Sequence, residues 1–347
     1  MSATPAFREK PMSQTPSPQA LPQAAPFHVA FALAPRFSMI AFASAVETLR
    51  LANRVSGVDS FSWSLHSPDA GPVKASNGVA VAPDGSYADM GGAALAIVCG
   101  GIDIQKIDLP PLMARLRKLA TQGVALGAVC TGTYALARAG LLKGYRSTIH
   151  WENFDSFREE FPSLTVTQEL YEIDRNRYTC AGGTAAIDMM LHVIATRCDA
   201  RIAALVTDEL IHHRMREANE RQRMELRSRL GDAHPKLLAV AAEMEKRLER
   251  PSSCAQLARA VSLSPRQLER LFQKYLDTTP TRHYLTVRLE RARQLLLQTS
   301  LPILSVGIAC GFVSASHFSK CYSEHFKRTP SEERRGKKPA ERAMAMA

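Results

Sequence analysis

From residue 27 onward, short apolar or β-branched runs alternate with stretches whose apolar residues recur at helical spacing. That alternation predicts a parallel sheet covered by helices on both faces. Phe27 to Leu33 reads as a first strand, Met39 to Asn53 as a helix and Phe61 to Leu65 as a second strand. Ala94 to Cys99 reads as a buried strand ending in Gly100 and Gly101, followed by a helix from Leu112 to Thr121. Val124 to Cys130 is another buried strand, turning directly into a helix from Tyr134 to Ala139. Arg177 to Cys180 gives a late strand, after which Gly182 and Gly183 open a helix from Ala185 to Thr196. Residues 201–230 are dense in charge and read as a connector helix laced with ion pairs, passing into a linker near Gly231 and Asp232.

After Pro235 the pattern becomes almost wholly helical, in short segments separated by Ser, Pro and Gly turns. Ala255 to Ala260, the turn Val261 to Ser264 and a second helix Pro265 to Leu276 form a helix-turn-helix pattern. Ser264 is a favourable N-cap, and Pro265 occupies a position where its missing N–H costs nothing. Leu268, Leu271, Phe272 and Tyr275 share one face of that helix, which leaves Arg266, Gln267, Glu269, Arg270 and Gln273 outside. A recognition helix needs this division: an apolar side for its own domain, and long donors and acceptors for base edges in the major groove. The pattern recurs with Ile303 to Cys310, a turn at Gly311 to Val313 and a helix from Ser314 to Phe326. Here Ala315, Ser316, His317, Ser319 and Lys320 face outward, while Phe318, Tyr322 and Phe326 face inward. A basic helix, His283 to Gln298, would hold the two units at a fixed separation.

Charge sharpens this picture. Residues 231–347 hold 20 Lys/Arg against 11 Asp/Glu, whereas residues 1–230 hold 24 against 22, so most of the formal +11 sits in the last third. A surplus confined to one end is what a nucleic-acid-binding module adds to a nearly neutral partner. The length of 347 residues favours two domains. No apolar run approaches the ~18 residues of a membrane span. Five prolines among the first 25 residues, without an apolar core, read as a disordered tail and not as an export signal. Seven scattered cysteines favour a reducing cytoplasm and exclude a disulfide framework or structural zinc site. No metal and no cofactor are expected.

The run Ile308-Ala-Cys-Gly-Phe-Val-Ser-Ala-Ser-His-Phe-Ser-Lys320, with Phe326, Thr329, Pro330 and Arg334, resembles the signature of the AraC/XylS family of transcription activators over residues 236–335. Two positions depart from it: Lys327 stands where that signature usually has Gly, and Glu333 where it usually has an aromatic. The resemblance implies promoter DNA, RNA polymerase and a second copy of the chain as partners.

At the other end, Gly127-Ala-Val-Cys130-Thr-Gly132 places a cysteine on a tight strand-to-helix turn. A helix N-terminus stabilises a thiolate there. With Glu47, Ser147 to His150 and Thr179 to Thr184, the segment 27–198 resembles the DJ-1/PfpI group of the class I glutamine-amidotransferase-like fold. That implies a flavodoxin-like α/β domain beside the all-α tandem helix-turn-helix domain. Within the amidotransferase-like branch of the AraC family, Ile149 to Asn153 and Leu170 to Cys180 resemble regulators of glycine betaine, carnitine or arginine catabolism.

The expected divisions are a disordered tail (1–25), a sensing domain (26–200), a connector (201–235), the DNA-binding domain (236–335) and a basic disordered tail (336–347). A small-molecule effector is expected at the carboxyl ends of the strands. Glu47 would supply negative charge and Trp151 an aromatic face. Amides at Gly100, Gly101, Cys130 and Thr131 would donate to an anionic group, and His150 would form a wall. Packing in the core is the equal alternative for Trp151. Hydrolytic members of the fold usually follow the elbow cysteine with histidine, and this chain has Thr131, so regulation is favoured over an alternative cysteine hydrolase with an accessory DNA-binding domain.

Overall fold

The computed structural model describes residues 25–222, 234–299 and 301–335. In chain order the first part contains β1 (Phe27–Leu33), α1 (Met39–Ser56), β2 (Phe61–Ser67), β3 (Val73–Lys74), β4 (Ala80–Val81), β5 (Gly85–Ser86) and β6 (Leu95–Cys99). It continues with α2 (Pro110–Thr121), β7 (Ala125–Val129), α3 (Thr133–Arg138), β8 (Arg146–Thr148), α4 (Phe154–Glu160), β9 (Thr165–Thr167), β10 (Tyr171–Asp174), β11 (Arg177–Cys180), α5 (Ala185–Arg197) and α6 (Ala200–Glu209). The main sheet has the order β10-β11-β7-β6-β1-β2-β5, parallel except where β10 meets β11.

Side chains alternate across this sheet as the strand period requires. Val29, Phe31 and Leu33 of β1 pack with α1, α5 and α6, whereas Ala30 and Ala32 face the layer built from α2, α3 and α4. Both faces are therefore covered, as the near-continuous apolar runs of β6 and β7 imply. The main strands and helices fall where the sequence pattern puts them, with shifts of a few residues at their ends. The short pairs β3–β4 and β8–β9, and the edge strands β5 and β10, were not legible, because so few residues carry little periodicity and no apolar run or flanking glycine pair marks them. The helix α4 was missed as well.

The expected connector helix is corrected. Helix α6 stops at Glu209, and residues 210–222 form an irregular strap folded back on the α/β domain; residues 223–233 lie outside the described residues, as do 1–24 and 336–347. Ile211, at φ 52°, follows the helix end, and the strap is held by Asp188, fully buried in the first turn of α5. Its carboxylate accepts from the Arg216 guanidinium (2.6 and 3.0 Å), the Arg216 backbone N–H (2.7 Å) and His212 Nε2 (3.2 Å). A buried carboxylate must be paired. A straight helix would carry Arg216 away from it, so the chain turns back. Within the strap, the Gln222 amide donates to Thr148 Oγ1, Ile149 O and Glu169 O at 2.9–3.0 Å.

The second part contains α7 (Pro235–Lys246), α8 (Cys254–Ala260), α9 (Pro265–Leu276), α10 (Pro280–Gln298), α11 (Ile303–Ala309), α12 (Ala315–Phe326) and α13 (Pro330–Arg335). Two small cores divide it. Leu237, Met244, Leu257, Leu268 and Phe272 form one, and Leu289, Leu296, Val306, Phe312, Phe318 and Tyr322 the other. Each fully buried Leu or Phe contributes about 1.5–3 kcal/mol. Helix α10 reaches into both cores through Tyr284 and Leu289, so it acts as a common spine.

The two departures from the family signature have structural answers. Glu333 is buried and lies beside Arg293 (3.2 Å) and Arg328 (3.4 Å), so an ion cluster fills the aromatic position. Lys327 adopts a left-handed conformation (φ 56°) at the end of α12 and donates its N–H to Ser323 O. A side chain in that conformation costs roughly 1 kcal/mol. Lys327→Gly is therefore expected to raise the thermal midpoint slightly, with a gain below about 1 kcal/mol in denaturant unfolding, since glycine also frees the unfolded chain.

Candidate functional site

The outward residues of the two helix-turn-helix units are set by their caps. Ser264 accepts from Gln267 N–H (3.3 Å), and Gln267 Oε1 accepts in return from Ser264 N–H (2.8 Å), a reciprocal capping box. Ser314 accepts from His317 N–H (3.2 Å) at the start of α12. These caps fix the rotation of each helix. Leu268 and Phe272 turn inward on α9, as do Phe318 and Tyr322 on α12. Arg266, Gln267, Glu269, Arg270 and Gln273 are all exposed, as are Ala315, Ser316, His317 and Lys320, while Ser319 is half-buried. Two of these residues are not idle: the Gln267 carboxamide is engaged in the cap, and Gln273 Nε2 donates to Asp277 Oδ1 (2.6 Å). A hollow of about 600 Å³ beside α9 is lined by Lys236, Arg270 and Lys274, giving that side a positive rim.

The arginines of α10 do something the charge pattern alone did not reveal. Arg288 donates from Nε to Cys310 O (2.7 Å) and from Nη2 to Gly311 O (2.6 Å), and its guanidinium lies 4.2 Å from the Phe312 ring centroid. It thereby ties off the carbonyls at the end of α11 and holds the second turn. Arg293 serves Glu333, and Arg291 reaches Asp155 of the α/β domain at 3.1 Å. All three are committed to protein contacts.

In the α/β domain, Cys130 sits at φ 60° where β7 ends and the elbow begins. Thr131 Oγ1 donates to Gly101 O (2.6 Å), tying the elbow to the end of β6. The backbone there is so close that a Cβ on Gly100 would lie 2.1 Å from Gly132 N, and one on Gly182 would lie 2.6 Å from Cys130 Cβ. Close approach, not ligand binding, explains Gly100: its N–H already donates to Val129 O (3.2 Å), so it is no free donor. Gly101 is likewise buried against Arg36 and Phe37.

Two further expectations are corrected at the elbow. Glu47 is exposed on the outer side of α1, two positions off the buried row Ala41, Ala45 and Leu49, and pairs with Arg50 (2.7 Å). It is not a cleft residue. The acidic group beside the elbow is Glu152, whose carboxylate lies 3.9 Å from His150 Nδ1 and acts on the Cys130 thiol. The helix N-terminus does not produce a thiolate either. Burial pushes the Cys130 thiol up to about 12; the Thr131 N–H opposes this and Glu152 adds to it. Burial also lowers the pKa of His150, against the pull of Glu152. Trp151 is half-buried, with its ring centroid 5.6 Å from that of His150.

Comparisons with known proteins follow this division. Residues 28–196 match the DJ-1/PfpI family, and residues 257–336 match a helix-turn-helix domain family. The HTH-type transcriptional regulator GbdR of Pseudomonas aeruginosa is 46% identical over 311 residues, covering 90% of this chain and 85% of that protein. CdhR, an HTH-type transcriptional regulator of the same species, is 45% identical over 304 residues, covering 88% of this chain and 90% of that one. The crystal structure of an AraC family transcriptional regulator from Pseudomonas putida is 31% identical with a TM-score of 0.50, covering 53% of this chain and all of that chain. Paired helix-turn-helix units on one spine, joined to an α/β domain with a cysteine elbow, define a DNA-binding transcription regulator. The chain belongs to the AraC-type helix-turn-helix regulators that carry a DJ-1/PfpI domain. Among the described residues no helix is long and apolar enough to cross a membrane.

Proposed function

We propose that this regulator activates transcription, as a homodimer that engages RNA polymerase, when a small nitrogen-containing metabolite occupies the cleft at Cys130. The observation that carries the effector class is the grouping of side chains at the elbow: the Trp151 ring lies 5.6 Å from that of His150, and the Glu152 carboxylate 3.9 Å from His150 Nδ1. An aromatic face and a carboxylate suit a quaternary ammonium or guanidinium group. Glycine betaine, carnitine and arginine all present such a cation together with a carboxylate. Titration calorimetry of the full chain against those three compounds tests the reading. Saturable binding of at least one, lost in Glu152→Gln, supports it, and silence across the panel refutes it.

Regulation without turnover is the reading the elbow supports. A thiol held at about 12 is protonated at neutral pH, and the acidic group nearest the His150 ring, Glu152 at 3.9 Å, also disfavours a thiolate at Cys130. Iodoacetamide is expected to label Cys130 at least about tenfold more slowly at pH 7 than an ordinary thiol, because the smaller thiolate fraction outweighs the greater nucleophilicity of a more basic thiolate. The rate should climb about tenfold per pH unit, and the exposed Cys198 serves as the internal reference. Labelling of Cys130 as fast as Cys198 at pH 7 would restore the hydrolase alternative.

Base reading is assigned to Arg266, Gln267, Glu269, Arg270 and Gln273 on α9 and to Ala315, Ser316, His317, Ser319 and Lys320 on α12. Lys236 and Lys274, on the rim beside α9, are assigned to backbone phosphates. Arg270→Ala is expected to weaken specific binding by about 1–3 kcal/mol while changing non-specific binding little. Equal losses on promoter and random duplex, measured by fluorescence anisotropy at one salt concentration, would remove Arg270 from the set of base readers.

A further inference from the structure

The α/β domain and the spine helix of the DNA-binding domain touch through one face of each. Arg291 and Gln298 are seven residues apart on α10, two turns, and so project from the same side. That side lies against the turn Trp151–Asn153 and the start of α4. Arg291 Nη2 meets Asp155 Oδ2 at 3.1 Å with only 13% of the arginine side chain exposed. Ser156 Oγ lies 3.1 Å from Gln298 Oε1. Glu159, one helical turn after Asp155, adds its charge toward the same guanidinium.

The other end of this contact leads to the elbow. Ser156 Oγ also lies 3.3 Å from the hydroxyl of Tyr134, a fully buried residue in the helix that starts at the elbow. Asn153 O accepts from Ser156 Oγ (2.9 Å), which ties the serine to the turn that carries Trp151 and Glu152. Helix α4 is thus attached to the cleft from two directions, through Tyr134 and through the Trp151–Asn153 turn, and on its outer side it holds α10. Since α10 enters both small cores and its Arg288 holds the second turn, whatever moves α10 moves both recognition helices.

We propose that Asp155–Arg291 and Ser156–Gln298 form an interdomain latch that docks α10 on α4 and transmits occupancy of the Cys130 cleft to the DNA-binding helices. The transmission half rests on the effector reading above; the docking half does not. A ligand shifts such an equilibrium only through contacts that differ between the two states. His150, Trp151 and Glu152, immediately before α4, are the residues in position to make them.

The experiment uses the full chain with Asp155→Arg, Arg291→Asp and the exchanged pair D155R/R291D. Hydrogen exchange over residues 289–298 and 153–160 reads docking. Calorimetry with glycine betaine, carnitine and arginine reads the cleft, and anisotropy on promoter duplex with and without the bound compound reads transmission. Each single reversal is expected to speed exchange at 289–298 severalfold, to leave the metabolite dissociation constant within about twofold, and to abolish the metabolite's effect on DNA affinity. The exchanged pair should recover all three readouts in part, since Glu159 then faces the reversed charge at position 291. Unchanged exchange in both single variants overturns the docking. Faster exchange with an intact metabolite response overturns the transmission. Absence of metabolite binding to the unmodified chain overturns the effector reading and the transmission with it, while the exchange data still decide the docking.

Discussion

Arg288→Ala should unfold the second helix-turn-helix unit's turn and remove its contribution to DNA binding. The guanidinium serves two carbonyls at the end of α11 and lies over Phe312, so its loss leaves Cys310 O and Gly311 O without those donors in a half-buried setting. Two hydrogen bonds from a charged donor and one cation–π contact amount to about 3 kcal/mol. Arg288→Lys should recover less than half, because a single ammonium cannot serve both carbonyls in fork geometry. Denaturant unfolding gives the stability change, and promoter anisotropy should show roughly a tenfold or larger loss. If the alanine variant matches the unmodified chain in both, the arginine is not what holds the turn.

Asp188→Asn should release the strap at 210–222. The carboxylate is fully buried and receives donors from both the side chain and backbone of Arg216 and from His212, so the amide leaves a guanidinium without its counter-charge. Breaking a buried pair from one side costs about 3 kcal/mol or more. Because the strap includes Gln222, which donates to Ile149 O next to His150, its release should also raise hydrogen exchange around His150. Retained protection of 210–222 in the variant would show that other contacts hold the strap.

What the sequence disclosed and what it concealed divide along physical lines. Long buried runs such as Ala94 to Cys99 and capped amphipathic helices such as Pro265 to Leu276 announce themselves, because burial on one or both faces sets their periodicity. Helix α4, the short pairs β3–β4 and β8–β9, and the edge strands β5 and β10 carry too few turns or alternations to register, whereas β11, also only four residues long, is marked off by the Gly182 and Gly183 that follow it. Charge was the least legible feature. Arg288, Arg291 and Arg293 have the same composition as a phosphate-binding stripe, yet each is committed to a protein partner. Glu47 and Glu152 were indistinguishable as letters, and only the rotation of α1 puts the first outside and the second at the elbow. Asp188 did leave a signal: one acid within the apolar run Ala185 to Ile194 must find a partner, and that partner holds the strap that stands where the connector helix was expected.

The base reading proposed for α9 and α12 is tested most directly by footprinting the full chain on the DNA flanking its gene. Two protected patches on one face of the duplex, about one helical turn or 34 Å apart, with the nearer contacts of one patch lost in Arg270→Ala, are the expected result. A single patch unaffected by changes in either helix, or uniform protection that vanishes with random competitor at moderate salt, would contradict it.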